Sequence, residues 1–202
     1  MTNTHIAAEA TPSSNALAHF TRQISALLCA TSASAAVAGV ATGFAQYLHR
    51  SPVTAAHVSG TSAWVTHLIL AAVAGALYCV ARWRHRRRYG RGAGRLLLLA
   101  PLGKTAASRL AATARAMTWR IAAALPLLAV IAYSFWRIGE QVTGGLDPNF
   151  TVNAWGGPTY LGAMACHYLD AVLIIAVSAW LLDKALLPDG SGPPVGPAST
   201  RR

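Results

Sequence analysis

The chain has 202 residues, 54% of them hydrophobic and 11% charged, with mean hydropathy +0.40 and a formal net charge of +11. A soluble domain carries about 25% charged residues, so this composition leaves too little polar surface to coat a water-soluble globule. The apolar residues fall in long blocks, the pattern of a chain that crosses a membrane several times.

In chain order, residues 1–20 hold no apolar block and are expected to form a disordered cytoplasmic N-terminus. A transmembrane domain over 21–187 follows, then a Pro/Gly-rich cytoplasmic tail over 188–202. Four spans are predicted, at about 24–48, 63–81, 121–136 and 160–182. The fold class expected is all-α, a polytopic four-transmembrane-helix bundle. Trp64 and Trp83 bracket the second span, Trp119 and Trp136 the third, Tyr160 and Trp180 the fourth. At 1.5 Å rise per residue such pairs lie roughly 25–30 Å apart, matching a hydrocarbon core of about 30 Å with aromatic rings at both interfaces.

The first span is rich in small residues. Ala35, Gly39 and Gly43 recur at four-residue intervals, which lets a helix approach closely either a neighbour in the bundle or a second copy. Ala33-Ser34-Ala35 resembles a signal-peptide cleavage site, but the long preceding segment, with Arg22 as its one basic residue, favours a retained span. Pro126 predicts a kink in the third span. Cys29, Cys79 and Cys166 lie in apolar segments without paired spacing and read as small buried hydrophobes.

The connection 82–120 carries Arg82, Arg84, Arg86, Arg87, Arg88, Arg91, Arg95, Lys104, Arg109, Arg115 and Arg120 and no acid. This charge bias places the loop in the cytoplasm, so both termini are cytoplasmic and the loop 137–159 is outside, in a cell (inner) membrane. Arg84, Arg86, Arg87, Arg88, Arg91 and Arg95 form an arginine run broken by glycines, read here as a flexible segment that touches anionic lipid headgroups or an acidic partner. Base-stacking aromatics are scarce in it, so nucleic acid is not an expected partner. Lys104 to Met117 has helical composition.

Buried polar residues are the remaining signal. Asp170 lies near the middle of the fourth span with His167 one turn away on the same face, and His67 lies toward the outer end of the second. An acid at that depth costs roughly 2.5–3.5 kcal/mol on insertion scales and needs a partner. His67, or hydroxyls of the first span such as Thr31 or Ser34, are the candidates. Asp170 is read as the only acid deep within a span, with Glu140 and Asp147 in the outer loop. The same three residues, His67, His167 and Asp170, are the one set that offers metal ligands, and the two histidines are the one pair that offers haem ligands. No cofactor is predicted. In the outer loop Asn149-Phe150-Thr151 matches a glycosylation acceptor, and the loop as a whole reads as an ordered cap over the helix ends.

The chain contains no Walker loop, dinucleotide fingerprint, G-x-S-x-G, H-E-x-x-H or Cys-x-x-Cys. The function expected is therefore that of a non-catalytic accessory or assembly subunit of a membrane complex, with other subunits or self-association as partners. The alternatives are a small transporter or proton-conducting component built on the Asp/His residues, and a haem- or metal-binding redox subunit.

Overall fold

The structure, a computed structural model, describes residues 24–89, 102–117 and 119–188. Helices α1 (Ala26–Leu48), α2 (Trp64–Tyr89), α3 (Lys104–Arg115), α4 (Trp119–Gly144), α5 (Pro148–Thr151) and α6 (Tyr160–Ala185) follow one another, with no strand among the described residues. Four of them, α1, α2, α4 and α6, are long and apolar enough to cross a membrane. This is an all-α multi-pass bundle, the form in which a chain satisfies its own backbone where no water reaches it. The expected disordered termini and the segment holding Arg91 and Arg95 lie mostly or wholly outside the described residues.

Local chemistry sets the helix ends. The Ser25 side chain accepts from the Leu28 amide to open α1, and Thr159 accepts from the Gly162 amide to open α6. Asp147 accepts from the Asn149 amide ahead of Pro148, opening the single turn of α5.

Two expected boundaries move. α2 does not stop with its apolar block: it continues through the first arginines to Tyr89, so Arg84, Arg86, Arg87 and Arg88 are helical rather than flexible. Arginine is a good helix former, no breaker intervenes before Gly90, and cations suit the negative C-terminal end of a helix. α4 runs on past Trp136 to Gly144, so residues 137–144 of the expected outer loop belong to a helix. Pro126 sits inside the continuous α4.

α1 packs on α4, and α4 on α6. The small residues of α1 make the first contact possible. A Cβ added at Gly39 would lie 1.9 Å from the Trp136 carbonyl oxygen, one at Gly43 2.0 Å from that of Glu140, and one at Gly139 1.9 Å from that of Ala36. Backbone thus meets backbone along the crossing, and the Gly39/Gly43 stripe is used within the bundle. α2 is different. Among its described side chains only His67 is buried, while Val65, Leu68, Ile69, Val73, Leu77 and Val80 are exposed. Cys79 is also exposed, contrary to the buried role expected of it, because it lies on this unpacked helix; Cys166 is buried and Cys29 intermediate.

At the arginine-rich end α3 closes the bundle. Arg109 donates to the carbonyls of Asp183 and Leu187 at 2.8 Å and pairs with the Asp183 carboxylate, while Arg120 donates to the Ala185 carbonyl at 3.1 Å. These cations satisfy carbonyls that the last turn of α6 leaves free. Thr113, fully buried, accepts from the Leu187 amide, and the Ser25 amide donates to Leu102, fixing the start of α1 to the start of α3.

Candidate functional site

The opposite end of the bundle is roofed by its two loops. The segment 53–58 forms a strap held by two asparagines four residues apart. Asn149 accepts from the Ala55 amide at 2.6 Å and donates to the Val53 carbonyl; Asn153 accepts from the Val58 amide at 2.8 Å and donates to the Ala56 carbonyl. His57 adds a contact to the Val152 carbonyl at 2.7 Å. Each amide side chain plays the part that a neighbouring strand would play toward an extended segment. The loop 145–159 is the ordered cap expected of it. Asn149 and Thr151 take structural roles, since the Asn149 amide is engaged by the strap and Thr151 is buried.

Beneath this roof lies the polar cluster. The Ala63 amide donates to the Trp155 carbonyl at 2.7 Å, which seats the start of α2 under the cap. His67, one turn in and 5% exposed, points into the bundle. Its Nδ1 lies 2.8 Å from the Ala63 carbonyl, which only accepts, so Nδ1 carries a hydrogen. Its Nε2 faces the Asp170 Oδ2, at 3.3 Å. Asp170 keeps 26% exposure in the cleft between α2 and α6. Thr31 does not reach Asp170: it bonds back to the Leu27 and Leu28 carbonyls of its own helix. Ser34 is exposed on α1, which packs on α4.

His167 is adjacent but does different work. Its ring stacks with Trp155 at 6.5 Å between centroids and tilts against Phe150 at 5.9 Å, while Trp155 also contacts His67 at 5.5 Å. The indole thus touches both imidazoles. With both nitrogens of His67 already on protein partners, the pair does not present two free nitrogens to a haem iron. No group of three or more His, Cys, Asp or Glu among the described residues is placed to hold a metal ion.

A second acid lies within a spanning helix. Glu140, 3% exposed, lies within α4 and not in a loop, so Asp170 is not the only acid in a spanning helix. Arg137 donates to its Oε2 and Gln46 of α1 to its Oε1 at 2.8 Å, so both carboxylate oxygens are engaged. Arg137 in turn lies over the Phe150 ring at 5.4 Å. The signal for this pair was present in the sequence as the i,i+3 spacing of Arg137 and Glu140, with no proline and only the isolated Gly139 before Gly144-Gly145. Beside it the Gln141 side-chain oxygen is buried without a hydrogen-bond partner among the described residues.

Of the arginine run, Arg84, Arg86, Arg87 and Arg88 are exposed on the last turns of α2, with the Arg87 guanidinium 4.1 Å from the Trp83 ring centroid. They are at the other end of the bundle from the His67–Asp170 pair. Fold and cluster together define a multi-pass helical membrane protein with paired polar groups inside it. Compared with known proteins, the chain matches no family model, no curated protein and no solved structure.

Proposed function

We propose that the protein is a non-catalytic accessory or assembly subunit of a membrane complex, lying in the cell (inner) membrane with its arginine-rich end and both termini in the cytoplasm. The single observation that supports this most is the closed hydrogen bonding of two buried ionisable side chains, His67 and Glu140. His67 has both nitrogens on protein partners, and Glu140 has both oxygens on Gln46 and Arg137. Such pairs hold helices together, and their protein partners occupy the groups that a substrate would otherwise meet. α2 is the element left for a partner: it is tied to the bundle through His67 and its apolar flank is otherwise uncovered.

The test is photocross-linking in native membranes from a reactive residue at Val73 or Leu77 of α2. Discrete protein adducts from these positions, absent from Val172 on the exposed flank of α6, support the reading. Adducts to lipid alone refute it.

One observation favours a second reading. Asp170 is partly exposed and lies 3.3 Å from the His67 Nε2, an arrangement suited to a proton- or ion-conducting component. Proteoliposomes under a pH gradient separate the two. The accessory reading expects no proton flux above protein-free vesicles, whereas a flux abolished by Asp170→Asn establishes conduction.

A further inference from the structure

At the arginine-rich end of α2, Cys79, Arg82, Trp83, Arg86 and Arg87 line an open cavity of about 620 Å³. Their spacing is i, i+3, i+4, i+7 and i+8, which is one stripe of a helix. The Arg82 Nε is buried and has no hydrogen-bond partner among the described residues. No carboxylate among the described residues pairs with Arg82, Arg84, Arg86, Arg87 or Arg88; the ion pairs present involve Asp170, Asp183 and Glu140 with partners elsewhere. A buried donor and an unneutralised cluster of guanidinium groups call for an anion with several acceptor oxygens.

The same stripe continues toward the bilayer centre as Ala72, Gly75 and Ala76, all exposed. Nothing lies within 4 Å of a Cβ built at Gly75. Small residues on a lipid-facing helix make a shallow trough, and this trough leads from the hydrocarbon region to the Trp83 ring and the arginines. Arg87 stacked on Trp83 is held at the depth where aromatic rings and lipid phosphates meet. Independently of the accessory-subunit reading, the geometry points to a binding site for one anionic phospholipid, its phosphate held by Arg82 and Arg86 and an acyl chain lying along Ala72, Gly75, Ala76 and Cys79. Arg82 and Arg86 share the cavity face, whereas Arg84 and Arg88 lie on another side of the helix.

That asymmetry supplies the test. Full-length protein in detergent is given phosphatidylglycerol or phosphatidylcholine of the same acyl length, and retained lipid is counted by native mass spectrometry. Two variants with the same charge change are compared, Arg82→Gln/Arg86→Gln and Arg84→Gln/Arg88→Gln. A diffuse field would weaken retention equally in both, by roughly thirtyfold for two charges at about 1 kcal/mol each. The site predicts selective retention of phosphatidylglycerol by the native chain, and a loss at least tenfold greater in the first variant than in the second, an order-of-magnitude expectation for groups that touch the phosphate. Equal losses, or equal retention of the two lipids, overturn the site. Displacement of the lipid by excess inorganic phosphate overturns it as well, because it shows a free-anion site without an acyl component. Should the first variant fail to accumulate, Arg82→Lys/Arg86→Lys decides: charge is kept but the planar fork and the Nε donor are lost, so the site predicts reduced retention and a diffuse field predicts unchanged retention.

Discussion

Gly39→Ala is the sharpest perturbation of the α1–α4 crossing. The added methyl would lie 1.9 Å from the Trp136 carbonyl oxygen and 2.7 Å from the Glu140 nitrogen, both backbone atoms that no rotamer change can move. Ordinary contact begins near 3.4 Å, so the helices must part by about 1.5 Å at this point. Overpacking of this kind costs about 1–3 kcal/mol. The parting also strains the 2.8 Å hydrogen bond from Gln46 to the buried Glu140, a bond to a charged group of a kind worth about 1.5–3 kcal/mol. The two losses overlap, and a net destabilisation of about 2–4 kcal/mol is expected. Gly75→Ala on α2 is the control: nothing lies within 4 Å of its Cβ, so the substitution should be neutral or stabilise by up to about 1 kcal/mol through helix propensity. Unfolding of purified protein in mixed micelles, followed by circular dichroism, reads both. A Gly39→Ala variant that unfolds at the native midpoint would refute the close crossing.

Three further outcomes are expected. Asp170→Asn should leave stability nearly unchanged, because the amide N–H can donate to the His67 Nε2, whereas Asp170→Leu strands that buried nitrogen and should cost about 1–3 kcal/mol; equal yields of folded protein for both variants, matching the native chain, would mean that the pair holds nothing. Asn149→Ala removes both hydrogen bonds to the strap, so hydrogen exchange at the Ala55 amide should quicken by about five- to thirtyfold, and unchanged exchange would show that the asparagine does not hold the segment. Arg109→Gln uncaps the end of α6 and should lower unfolding stability by about 1–3 kcal/mol, with a smaller effect from Lys184→Gln, whose pairing with Asp183 is exposed.

Much of the fold was legible because a bilayer imposes length and composition together. Leu48 and Tyr160 are helix ends in both the sequence reading and the structure, since an apolar block of span length leaves few alternatives. The extensions of α2 to Tyr89 and of α4 to Gly144 were missed because hydropathy marks where the membrane stops, not where the helix does. Helix propensity and the Arg137–Glu140 spacing carried that information instead. In the cluster, the His67–Asp170 contact was anticipated from the need of an intramembrane acid for a partner. Glu140 was not, since it lies beyond Trp136, where the aromatic bracket closes the third span. The closing of the cap by Asn149 and Asn153 was not legible either: those side chains bind backbone groups far away in the sequence, and no periodicity records such a bond.

The arginine-rich end and the cap are expected on opposite sides of one bilayer, and cysteine labelling tests this directly. In a variant with Cys29, Cys79 and Cys166 replaced by alanine, single cysteines are introduced at Ser59, exposed just after the segment 53–58, or at Ser108, exposed on α3. A membrane-impermeant maleimide is added to intact cells, then to permeabilised cells. The four-span account with a cytoplasmic arginine-rich end predicts that Ser59→Cys is labelled in intact cells and Ser108→Cys only after permeabilisation. Labelling of both in intact cells, or of Ser108→Cys alone, would contradict it.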